Sequence, residues 1–120
     1  MSRTLPIALM LLALTGGRAF AHAALVKADP APGAAVAHAP TRLWLKFSQV
    51  IRLPMSGVEL VSPAGKSQLL VPVQRDPADT RAVFAPLPAH LPAGRYQVRW
   101  RALSPDAHHS KGDFRFDVKG

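Results

Sequence analysis

Arg95-Tyr96-Gln97-Val98-Arg99-Trp100-Arg101 carries the clearest structural signal in the chain. Tyr96, Val98 and Trp100 alternate with Arg95, Gln97, Arg99 and Arg101. A period of two puts one set of side chains on each face of an extended chain, so this is a half-buried strand. Leu91-Pro92-Ala93-Gly94 ahead of it reads as a turn. Downstream, Asp113 to Val118 repeats the pattern, with Phe114, Phe116 and Val118 on one side. Upstream, Leu43, Leu45 and Phe47 alternate with Arg42, Trp44 and Lys46. Ala23 to Lys27, Val58 to Val61, Leu69 to Val73 and Arg81 to Phe84 read as shorter strands. Pro72 marks the Leu69–Val73 run as an edge strand, because proline cannot donate to a ladder. Asp29-Pro30-Ala31-Pro32-Gly33 and Ser62-Pro63-Ala64-Gly65 break the chain between strands. Twelve prolines and eight glycines agree, and no helix is evident. The expectation is all-β: an immunoglobulin-like Greek-key sandwich or barrel of about seven strands.

The chain opens with the signature of export. Arg3 supplies a positive start, Leu5 to Leu14 an apolar run, and Ala19-Phe20-Ala21 a small-x-small cleavage site. The run is shorter than the roughly 20 residues a membrane span needs. Residues 1–21 are therefore expected to be removed as a secretory signal, leaving residues 22–120 as one soluble domain. With Arg3 and Arg18 gone, 13 basic residues face 7 acidic ones, a net charge of +6. The basic residues are scattered, with no run of five, and export also argues against nucleic acid as a partner. There is no cysteine, so neither disulfides nor thiolate metal chemistry is available.

Ser104-Pro105-Asp106-Ala107-His108-His109-Ser110-Lys111-Gly112 lies between the last two strands and concentrates the chemistry. On an extended segment, Asp106 and His108 would point the same way and converge on one ion. The bland alternative is a hairpin loop in which Asp106 makes local turn bonds and the histidines are solvated. Cleavage after Ala21 changes the weighing. His22 would then carry a free α-amine, which together with its Nδ1 chelates one metal through a six-membered ring. That amine titrates near ~8, so a metal displaces its proton at neutral pH. With His108 there are three nitrogen donors, and Asp106 offers an oxygen. Nitrogen and oxygen donors in a tetragonal plane favour Cu(II), while two imidazoles and a carboxylate also suit zinc.

With these residues in place, the mature chain resembles the CopC family of periplasmic copper-binding proteins over essentially its full length. The likeness rests on His22-Ala23, Asp29-Pro30 with Pro32-Gly33, and Leu45-Lys46-Phe47-Ser48. It continues through Gly94 to Arg101, then Ser104, Asp106, His108, Gly112 and Phe116. The resemblance implies an immunoglobulin-like β domain that binds one Cu(II) through an amino-terminal histidine brace. It assigns the ligand roles to His22, by amine and imidazole, and to Asp106 and His108. It further implies a monomer in the periplasm and a CopD-like inner-membrane copper permease as partner. Some relatives carry a methionine-rich Cu(I) site. Here only Met55 would survive cleavage, so a Cu(II)-only member is expected. Gln49 stands where relatives often have glutamate, and Ala107 where they often have glycine. His109 is an extra histidine, read as a solvated loop residue with competition against His108 for the ligand role as the alternative, and His38 and His90 have no role assigned.

The expected function is a copper carrier or buffer rather than an enzyme. Two rival readings stand beside it. A copper-dependent polysaccharide monooxygenase also uses a histidine brace on a β-sandwich, but this chain is short for a flat substrate face, and a carboxylate occupies the plane. The other rival is a metal-free immunoglobulin-like interaction module.

Overall fold

The alternating stretches become the two inner faces of a β-sandwich. The computed structural model describes residues 22–120, so the expected signal, residues 1–21, lies outside the described residues. In chain order the strands are β1 (Leu25–Asp29), β2 (Ala35–Val36), β3 (Arg42–Phe47), β4 (Gly57–Val61) and β5 (Ser67–Leu69). β6 (Gln74–Asp76), β7 (Asp79–Pro86), β8 (Gly94–Leu103) and β9 (His109–Val118) complete the set. A short 3-10 turn, Leu53–Met55, precedes β4. One sheet has the order β1-β3-β7-β6 and the other β2-β9-β8-β4-β5. Neighbouring strands are antiparallel except for β2, which runs parallel to the end of β9.

The inward parities are those the sequence predicts. Leu43, Leu45 and Phe47 of β3 are buried, as are Tyr96 and Val98 of β8 and Phe114, Phe116 and Val118 of β9. Together with Leu60, Leu70 and Val83 they form one apolar core between the sheets. Tyr96 stacks on Phe116, with ring centroids 5.6 Å apart. Its hydroxyl donates to the carbonyl of Pro92 at 2.6 Å, which ties the turn before β8 back onto the strand. A tyrosine bonded to the backbone just upstream is a recurrent corner in immunoglobulin-like sandwiches.

Nine strands replace the expected seven or so. Strand β2 is too short to carry a periodic signal. The Leu69–Val73 run is not one strand. Ser67–Leu69 ends at the edge of one sheet, and Gln74–Asp76 begins at the edge of the other. Between them the chain crosses the sandwich. The Leu70 amide donates to the Val58 carbonyl, and its side chain is buried in the core. Pro72 has no N–H to extend either ladder. The first strand also starts later than expected, at Leu25 instead of Ala23.

Candidate metal centre

The β8–β9 hairpin builds one half of the site. Its ladder runs in register from Gly94 opposite Val118 to Leu103 opposite His109. Residues 104–108 close it. Asp106-Ala107-His108 is a turn, the hairpin-loop alternative of the sequence reading and not the extended triplet, and Ala107 lies at φ 70°. That left-handed conformation disfavours a residue with a Cβ, which is why glycine suits the position.

Ser104 organises the turn. It is the buried polar residue among the described residues, at 0% exposure. Its amide donates to the His108 carbonyl at 3.0 Å, and its carbonyl accepts from the Ala107 amide at 2.9 Å. Its hydroxyl donates to Asp106 Oδ1. That bond, followed by those from the His108 ring and amide, holds the Asp106 carboxyl below the usual carboxylate range in spite of some desolvation. Asp106 Oδ2 lies 3.1 Å from His108 Nδ1. A carboxylate on Nδ1 fixes the ring's orientation and tautomer and leaves Nε2 as the nitrogen able to meet an ion.

The beginning of the described chain builds the other half. Ala23 is buried, and its carbonyl accepts a 2.6 Å hydrogen bond from Ser110 Oγ on β9. The Ala24 amide donates to Ser48 Oγ at 2.9 Å, and the Ser48 amide donates to the Ala24 carbonyl at 2.8 Å. Ser48 follows β3 and Ser110 lies on β9, so this segment is bonded to both sheets. The His22 ring then stands edge-on to His108, with centroids 4.9 Å apart and planes at 89°. A hollow of about 510 Å³ opens beside His22, walled by Trp100, Ser110 and Phe114. Trp100 packs its edge against Phe47, 5.3 Å between centroids, and closes that end of the core.

The structure thus joins His22 to His108 and His108 to Asp106. Among the described residues, no three His, Asp or Glu side chains gather closely enough to hold an ion by themselves. The local turn bonds of Asp106 and the meeting of the two histidines coexist, although the sequence reading set them against each other. His109 begins β9, paired with Leu103, and is exposed. His90 lies far from the loop, beside Leu60 and Ser62. Gln49 is engaged in an interaction of its own. Met55 is exposed, at the rim of a separate apolar hollow of about 820 Å³ that also touches Leu103 and Pro105.

Sequence reasoning assigned no positioning role to Ser48, Ser104 or Ser110. For Ser110 a signal existed. It shares the inward parity of Phe114 and Phe116, where a polar residue needs a partner.

Comparison with known proteins places this arrangement in context. The CopC domain model matches residues 25–119. Copper resistance protein C of Escherichia coli is 35% identical over 119 residues, covering 88% of this chain and 94% of that protein. Protein YobA of Escherichia coli K12 is 33% identical over 113 residues, covering 94% and 91%. Among solved structures, CopC from Methylosinus trichosporium OB3b superposes with a TM-score of 0.73 at 29% identity, covering 82% of this chain and 94% of that one. PcoC, described as a methionine-rich copper resistance protein from Escherichia coli, gives 0.68 at 34% identity, covering 82% and 100%. With a family model spanning nearly all the described residues, and relatives and folds that agree with it, the chain belongs to the CopC family.

Proposed function

We propose that this protein binds one Cu(II) in the periplasm and acts as a copper carrier or buffer, without catalysing a reaction. Family membership and the names of the relatives support a role in copper handling. The observation that carries the site is the approach of His22 to His108, 4.9 Å between ring centroids, from opposite ends of the domain sequence. Copper is here the cargo. The proposed donors are the His22 α-amine and Nδ1, His108 Nε2 and Asp106. The amine exists only after cleavage behind Ala21. It is the donor that would complete a set which side chains alone leave short. Three nitrogens and an oxygen suit Cu(II), the strongest binder of the divalent series.

Asp106 has a double task in this reading. Both its oxygens are already engaged, by Ser104 and by His108. Ligation by Asp106 therefore trades one of these bonds for the ion. The hand-over partner proposed is a CopD-like inner-membrane permease, approached by a monomeric carrier.

Retaining one extra residue before His22 removes the chelating amine and weakens Cu(II) binding by orders of magnitude in a competition titration. Unchanged affinity overturns the amine as ligand. His108→Ala changes the Cu(II) electron paramagnetic resonance spectrum, and His90→Ala leaves it as it was. If His109→Ala alone disturbs the spectrum, the assignment is wrong by one residue.

A further inference from the structure

We infer that the outer face of the five-stranded sheet, at the end next to the His22–His108 pair, is a docking surface for an acidic protein segment, held by Arg101 and Lys111. The ladder itself makes the argument. Arg95, Gln97, Arg99 and Arg101 share the outward parity of β8, and Lys111, Asp113, Arg115 and Asp117 that of β9. Register sets Arg95 opposite Asp117, Gln97 opposite Arg115, Arg99 opposite Asp113 and Arg101 opposite Lys111.

Charge is balanced along most of this face. Arg95 pairs with Asp117 at 2.9 Å, Arg99 with Glu59 at 3.6 Å, and Gln97 donates to Asp113 at 2.8 Å. Arg115 sits between Asp113 and Asp117 on the same face of β9. Three cations and three carboxylates share this stretch, with Arg115 balanced by its neighbours on β9 rather than by a direct ion pair. The last rung before the loop breaks the balance. Arg101 and Lys111 are directly opposite, both exposed, and neither side chain has a hydrogen bond or ion pair with another described residue. Like charges across a ladder destabilise it, so nothing in the fold itself favours this pair.

At this rung the Arg101 guanidinium rests over Gly57, in space that a side chain there would take. Gly57 of β4 lies opposite Arg101, and a Cβ there would come within 3.3 Å of the guanidinium carbon. A shallow groove of about 200 Å³ runs past Gly57, Leu69, Arg101 and Lys111, with the paired Glu59 and Arg99 at its far side. A carboxylate pair from a partner would neutralise both cations, and the guanidinium fork matches carboxylate geometry. The pair is local, with Glu59 and Asp113 close by on the same face. A flat anionic membrane would press its headgroups against those carboxylates too, so an acidic protein segment fits better. Docking here would bring the partner beside the candidate metal loop, and charge placed at such a rim acts chiefly on encounter.

The test uses the exported protein, isotope-labelled and metal-free, so it does not depend on copper binding. Titration with hexaglutamate at low ionic strength shifts the amide resonances of Gly57, Arg101 and Lys111 most. R101Q/K111Q weakens the peptide about fivefold or more, as expected for two exposed charge contacts, and R95Q/R115Q does not. R101Q/K111Q also raises the melting temperature, because a repulsion is removed, which certifies the fold of the variant. Shifts spread evenly over the sheet, or equal weakening by both variants, overturn the proposal. So does binding to phosphatidylglycerol vesicles that is lost in R101Q/K111Q with no response to the peptide.

Discussion

Ser104 shows how much one hydroxyl can settle. It is fully buried at the mouth of the hairpin, where its backbone closes the loop and its side chain holds Asp106. Ser104→Ala removes the hydroxyl and leaves the backbone bonds. A net loss of about 1 kcal/mol is expected, which lowers the melting temperature by roughly 4–8 °C in a domain of this size. The Asp106 carboxyl should also titrate higher than in the parent, since its largest stabilising contact is gone. Carbon-detected NMR titration of Asp106 reads this directly. A carboxyl that titrates where it did before overturns the role given to Ser104. At the neighbouring Ala107, φ of 70° shows the loop keeping its shape through a residue poorly suited to it.

Among the elements, β3, β7 and β6 share a polar strap on their outer face. Trp44 of β3 reaches past β7 and donates its indole N–H to Asp76 Oδ2 of β6 at 2.8 Å. That bond, then one from the Ala78 amide, holds the Asp76 carboxyl below its ordinary value of 3.8. A depressed carboxylate contributes stability that is complete above the unfolded value and is lost as pH falls through the lower folded one. The Trp44 indole resonance should therefore follow the protonation of Asp76, with a midpoint below 3.8. A midpoint at or above 3.8 contradicts the strap. The strap matters because β6 is a short edge strand with a register shift at Arg75 and Asp76. The hairpin needs no such support, since β8 and β9 pair along their whole length.

For the molecule as a whole, the telling feature is that the segment after His22 is clasped by both sheets. Ser48 follows a strand of one sheet and Ser110 belongs to the other, and their bonds fall on adjacent residues, Ala24 and Ala23. The clasp is what sets His22 against His108. Ser48→Ala with Ser110→Ala should raise the mobility of residues 22–24 in amide relaxation and speed exchange of the Ala24 amide. Ala23 belongs to the core and two hydrogen bonds beside it are lost, so the melting temperature should fall as well, with the transition still cooperative. Loss of the cooperative transition would show that the clasp supports the fold rather than the site. Unchanged relaxation would show that Ala23, buried by itself, is sufficient to hold the segment.

The all-β class, the inward parities of β3, β8 and β9, and the residues from which a metal centre could be drawn were all legible in the order of amino acids. Period-two alternation reports burial directly, because a strand buries every second side chain wherever it later sits. Only the tertiary structure decided that His22 meets His108. Contact between distant segments depends on which strands pair, and alternation carries no record of partners. The crossing at Leu70 to Val73 escaped for a related reason. A run of apolar residues states that side chains are buried, and leaves open whether the backbone bearing them stays in one sheet or passes to the next. Spacing left open whether Asp106 and His108 lie on an extended segment or in a turn, and hydrogen bonds from Ser104, two residues upstream, select the turn.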